Sequence, residues 1–231
     1  MVAIEVTEEE RQLVEKSLTE FALFAGVSAT TDISSYPTLR RLQIEHCRWQ
    51  ATKLDAKADC SLAVLCLGIV EEACWELPVA IEGEQGEEAF DALGDVLIFT
   101  CGVCTELRLD FATLSRDFDA SNIVEVRGLD GIMNLYKAIG KLAHVVVHHR
   151  QFRRGYGDID KTRMDAGVAI ASICSAVHWL AFSNDWDASV LFEQVLTGMM
   201  AKRDWSKNSI NGEESVSGES EETPIVNDSH D

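Results

Sequence analysis

Proline stands at only three of 231 positions, Pro37, Pro78 and Pro224. Because proline fixes φ and removes a backbone donor, sheet proteins with many turns use it freely, whereas helix interiors exclude it. The long reaches between these three residues are rich in Ala, Leu and Glu, which are strong helix formers. The expectation is an all-α fold, a helical bundle with an acidic C-terminal tail.

Periodicity and capping signals divide the chain further. Thr7 followed by Glu10 has the form of a capping box, and a first helix is expected through Leu13, Leu18 and Phe21 to about Gly26. Pro37 suits the first turn of a second helix, whose stripe carries Leu39, Leu42, His46, Trp49 and Lys53. A third helix from about Ser61 to Ile81 and a fourth from Glu87 to about Leu107 flank a short loop with Gly83 and Gly86, the pattern of an antiparallel hairpin. The second half repeats the plan, with helices expected near 131–150, 160–182 and 185–204. Residues 166–182 are almost wholly apolar and lie at the short edge of the membrane-span range, yet a buried central helix explains them without a bilayer. The organisation expected is residues 1–35 as N-terminal helix and linker, 36–120 as a first helical repeat, 121–205 as a second, and 206–231 as a disordered acidic tail.

The net charge of −19 repels phosphate backbones and anionic membrane surfaces, so neither nucleic acid nor membrane is an expected partner. The N-terminus opens with Glu5, Glu8, Glu9 and Glu10 and shows no signal-peptide pattern, which favours a cytoplasmic location. Seven cysteines in mostly apolar settings fit reduced, buried thiols. Cys101 and Cys104 form a Cys-x-x-Cys inside an apolar helix and read as core.

The chemistry-bearing pattern is acidic. Glu71, Glu72 and Glu76 lie on the third helix, and Glu88, Asp91 and Asp95 on the fourth. At roughly 100° per residue, Glu72 and Glu76 are about 40° apart, and Asp91 falls within about 60° of both Glu88 and Asp95. If the hairpin turns these stripes together, four or five carboxylates share one cleft, and their repulsion raises their pKa values unless cations enter. Oxygen-only ligands suit Mg²⁺, or Mn²⁺, rather than Zn²⁺.

Gly68-Ile69-Val70-Glu71-Glu72, Glu76-Leu77, and Glu88 through Leu97 together resemble the MazG-like all-alpha nucleoside triphosphate pyrophosphohydrolases. The resemblance covers residues 37–111, and the second half shares only the outline. It implies Mg²⁺-dependent cleavage between the α and β phosphates, giving a monophosphate and pyrophosphate. It further implies Glu72, Glu76, Asp91 and Asp95 as metal ligands, and Glu71, Glu72 or Glu88 as further ligand or catalytic base. Candidates for holding the nucleoside triphosphate are Trp75, Lys53 and Arg150, the last within a basic cluster that also contains His148 and Arg153. The family spaces its paired glutamates by three, whereas Glu72 and Glu76 are four apart with Trp75 before the second, and Ala92 stands where many members have Glu. An inactive helical module that binds nucleotide or a protein partner is therefore the alternative.

In the second half, Lys141 and Ala169 take the places of acids, so no second metal site is expected, and the two halves would form an internal pseudo-dimer or enter a homodimer. Pro78 cannot bond the carbonyl of Cys74, and a one-residue π-type bulge between Glu72 and Glu76 would absorb the insertion, restore the face that a spacing of three gives in the family, and place both carboxylates in the cleft.

Overall fold

The computed structural model describes residues 7–27, 30–51, 61–116, 129–152 and 159–202. The expected tail, Cys60, Lys53 and the loop around Gly155 lie outside the described residues. Every regular element described is helical: α1 (Glu8–Phe24), α2 (Thr38–Ala51), α3 (Leu62–Glu71), a π turn (Glu72–Glu76), α4 (Leu77–Glu82), α5 (Gly86–Leu107), α6 (Phe111–Arg116), α7 (Leu129–Phe152), α8 (Ile159–Ser183) and α9 (Ala188–Lys202). The chain is an all-α helical bundle.

Local chemistry sets the ends. At α1 the Thr7 hydroxyl accepts from the Glu10 N–H at 3.2 Å, while the Thr7 N–H donates to the Glu10 carboxylate at 2.8 Å, completing the expected capping box. Ser61 caps α3 through the Val64 N–H. The third expected helix is not one regular rod, because the π turn interrupts it two residues before Pro78. The short α6 was not expected. It begins where Asp110 receives the Thr113 N–H at 3.1 Å.

The α3–π–α4 segment packs on α5 as one hairpin, and α7 pairs with α8 as a second and more extensive one. α8 crosses α5, and α7 lies against α3, so one large hydrophobic core runs from Leu65, Leu97 and Cys101 through Leu135, Ile170 and Val177 to Leu191, with a smaller cluster of Phe24, Ile33 and Ile44 beside it. α8 has the length and hydropathy of a membrane span, but most of its apolar stretch is buried in this core, with Ala166, Ile170, Ile173, Cys174 and Val177 all sealed from solvent.

Two glycines allow the close approaches that shape the site. A Cβ at Gly68 of α3 would lie 2.6 Å from the Phe99 ring of α5, and one at Gly94 of α5 would overlap the Val195 side chain of α9. α9, from the second half, thereby settles directly on the acidic stretch of α5 and also touches α2. α2 is in turn anchored by Arg40, which grips buried Asp110 through Nε at 3.2 Å and Nη2 at 2.9 Å and reaches Glu20 at 2.7 Å. Gln43 completes the junction, donating to the Leu109 carbonyl and accepting from the Phe111 N–H.

Of the six described cysteines, Cys66, Cys101, Cys104 and Cys174 are buried, and burial pushes the Cys66 and Cys174 thiols up to about 12. Cys101 and Cys104 are core residues of α5. Two thiols depart from the burial expected of them: Cys47 is half-buried and Cys74 is exposed on the π turn, where the widened backbone carries it outward.

Candidate functional site

The bulge expected between Glu72 and Glu76 is present. The Leu77 N–H bonds the Glu72 carbonyl five residues back, which defines the π turn. Pro78 then falls in the first turn of α4, where its missing N–H costs least. Along this turn Glu72 points into the protein and is 8 % exposed, while Glu71, Cys74, Trp75 and Glu76 are exposed.

Glu72 lines a cavity of about 440 Å³ together with Asp91 and Asp95, which stand one turn apart on α5. Its proton affinity is pushed up to about 8, first by burial and then by the negative charges of Asp95, Glu76 and Glu71, with a proton shared with Glu76 adding to the effect. One carboxyl oxygen, Oε2, is buried with no hydrogen-bond partner among the described residues. A buried acceptor left in this state is costly, and a cation or donor entering the cavity would relieve it.

The remaining walls come from three other elements. α2 supplies His46, Trp49 and Gln50; α9 supplies Gln194, Val195, Met199 and Lys202; Leu65, Phe90, Ile98 and Phe99 form the apolar floor. The His46 and Trp49 rings stack with centroids 6.0 Å apart and planes inclined by 19°. Lys202 is the one cationic side chain among the lining residues, which include three acids.

The structure therefore gathers Glu72, Asp91 and Asp95 and leaves the other candidates at its edge. The bulge, expected to place both glutamates in the cleft, brings only Glu72 to line it: Glu76 is exposed and couples to Glu72 from outside, and Glu71 and Glu88 are solvated. Trp75 is 69 % exposed and does not reach the cavity, where Trp49 provides the indole face instead. Lys53 lies outside the described residues, and so does the side chain of Arg150, whose backbone belongs to α7. His46 and Trp49 share a stripe with Leu39 and Leu42, and this masks them as packing residues in the sequence. Gln194 and Lys202 carry no sequence signal, since only the fit of Val195 against Gly94 brings α9 to the cleft.

The donor set can be tested against a hard divalent ion. Carboxylate oxygens, a buried Oε2 without a partner and a cluster of mutually repelling acids fit such an ion. Among the described residues, however, no three carboxylate, imidazole or thiol groups stand close enough to hold a metal as their side chains lie.

Set beside known proteins, the chain matches no family model, no curated protein and no solved structure.

Proposed function

We propose that this cleft hydrolyses nucleoside triphosphates to a nucleoside monophosphate and pyrophosphate with the help of Mg²⁺, or Mn²⁺. The observation that carries the reading is Glu72: a nearly buried carboxyl with an unpartnered oxygen, sharing with Asp91 and Asp95 a cavity within the size range of small-ligand sites. The motif resemblance over residues 37–111 supports it. Glu72, Asp91 and Asp95, with Glu76 joining from the π turn, would hold the ion. Bound there, it would offset the triphosphate charge and acidify an attacking water.

The residues of the chain divide the remaining work. Glu71 or Glu88, both solvated beside the cleft acids, accepts the proton of the water as its oxygen bonds to the α-phosphorus. The bond from that phosphorus to the bridging oxygen breaks, and pyrophosphate leaves with the electron pair. Lys202 of the cavity lining would meet the phosphate chain, and Arg150 of α7 is the candidate for its outer end. The indole of Trp49 offers a stacking face to the base, and the amides of Gln50 and Gln194 offer donors and acceptors to its edge. The protein acts in the cytoplasm, as a homodimer or as the internal pseudo-dimer of its two halves.

A second reading has its own support: as the side chains lie, no three ligating groups converge among the described residues. It holds that the cleft binds nucleotide or a protein partner without turnover. Incubating the purified chain with canonical and modified nucleoside triphosphates plus Mg²⁺, and assaying pyrophosphate, separates the two. Release of pyrophosphate that Asp95→Asn abolishes supports hydrolysis. Nucleotide binding with no release across the panel supports the second reading and rejects the first.

A further inference from the structure

Away from the acidic cleft, α1, α2, the end of α5 and the start of α8 line a second, open cavity of about 720 Å³. Phe21, Phe24, Ile44 and Leu18 are the largest of its apolar lining groups, and the two phenylalanine rings meet edge to face with centroids 4.5 Å apart. Three arginines, Arg48, Arg108 and Arg163, line the same space, and no acid does. In a chain with 39 acids against 20 Lys plus Arg, this reverses the prevailing charge at one place. Two acids act from outside: Asp160 meets Arg163 at 3.3 Å across an exposed pair, and the charge of Glu106 reaches Cys47.

Arg48 gives an Nη2 hydrogen bond to the Thr31 carbonyl at 3.1 Å, whereas Arg163 and Arg108 are less engaged. Arg163 keeps its buried Nε without a hydrogen-bond partner among the described residues, although its Nη1 reaches Asp160. Arg108 forms no ion pair among the described residues and caps α5 in the left-handed conformation, with φ of 57°. Arg40 and Arg41, by contrast, are both engaged with carboxylates. Apolar walls alone would accept any hydrophobic group, and guanidinium groups alone would accept any anion. Side by side they select a molecule that is both, because each guanidinium can give paired hydrogen bonds to a carboxylate or phosphate while the rings cover an alkyl or prenyl body.

We propose that this second cavity binds a small amphipathic anion, with its head on Arg108 and Arg163 and its apolar body against Phe21, Phe24 and Ile44. The site is separate from the acidic cleft and does not depend on the reaction assigned there.

Calorimetric titration of the full chain with decanoate, decyl phosphate, decanol and inorganic phosphate, each as a monomer in solution, tests it. At least one of the two apolar anions should bind once per chain, about tenfold or more tighter than decanol, and inorganic phosphate should not bind. The tighter anion identifies the head as carboxylate or phosphate. Arg108→Gln and Arg163→Gln should each weaken that affinity about tenfold. Ala22→Trp, at an exposed lining position, should block binding while leaving circular dichroism and the melting temperature unchanged. Asp95→Asn should leave it intact. Absence of binding by both anions, equal affinity for decanol, wild-type affinity in both arginine variants, wild-type affinity in Ala22→Trp, or loss of binding in Asp95→Asn would each overturn the proposal.

Discussion

Replacing Glu72 by Gln removes one charge while nearly preserving shape, and its effect on the metal-free protein follows from the surroundings of that residue. The carboxyl titrates near its ordinary value of 4.5 in the unfolded chain but at about 8 in the fold. Below pH 4.5 both states hold the proton and the group makes no difference. Between 4.5 and about 8 the unfolded chain has released the proton and the native state still binds it, so stability falls as pH rises. Above about 8 the loss is complete. At about 1.4 kcal/mol per pH unit the gap sets a ceiling of about 5 kcal/mol, and water at the cleft mouth reduces this to about 2–3 kcal/mol. Urea unfolding of chelator-treated wild type and Glu72→Gln at pH 4, 6.5 and 9 measures it. The two should coincide at pH 4, and the variant should be the more stable by about 2–3 kcal/mol at pH 9. Excess Mg²⁺ should reverse the order at pH 9, because the ion stabilises only the protein whose carboxylate can receive it. Parallel pH profiles for the two proteins would refute the argument, since they would mean that the Glu72 charge is not held against the fold.

Asp95→Asn should lower Mg²⁺-dependent turnover at least about 100-fold with an unchanged far-ultraviolet spectrum, measured by pyrophosphate release. Gly94→Ala should cost about 1–3 kcal/mol, because the new Cβ meets Val195, and Val195→Ala in the same chain should recover most of it; denaturant midpoints of the single and double variants check this. Asp110→Asn should cost about 3–5 kcal/mol, since it leaves the mostly buried Arg40 with only the more exposed Glu20 as an anionic partner. A thermal melt that shows the Asp110 variant within error of wild type would remove this junction as the anchor of α2.

What the sequence reveals here is whatever acts within about one helical turn. Thr7 and Glu10 announce α1, Ser61 announces α3, and Gly83 with Gly86 announces the hairpin, because caps and turns are made by neighbours in the chain. α6 is only partly legible: Asp110 capping the Thr113 N–H is a local signal, but the partners that hold that aspartate, Arg40 seventy residues away and Ser17 ninety-three residues away, are not. The site divides in the same way. Glu72, Asp91 and Asp95 are legible as stripes on two adjacent helices, whereas Trp49, Gln194 and Lys202 join them only through packing between elements distant in sequence. Trp75 illustrates the risk in a purely local reading. It sits among the acids in the sequence, and the π turn carries it to the surface.

That turn links the backbone to the chemistry. A regular α-helix through this stretch would leave the Cys74 carbonyl facing Pro78, which has no N–H to offer and whose ring would crowd it. Widening the helix by one residue directs the Leu77 N–H to Glu72 and moves the proline into the first turn of α4. Across the widened turn the two carboxylates stay close enough to share a proton. Glu72 is driven inward to line the cavity, and Glu76 stays in water yet close enough to add its charge to the proton affinity of Glu72. A proline that would ordinarily only kink a helix thus helps to arrange one buried and one solvated acid side by side. With α5 and α9 fixed opposite by the contact of Gly94 with Val195, the buried acid faces Asp91 and Asp95 across a cleft whose repulsion a divalent cation would neutralise.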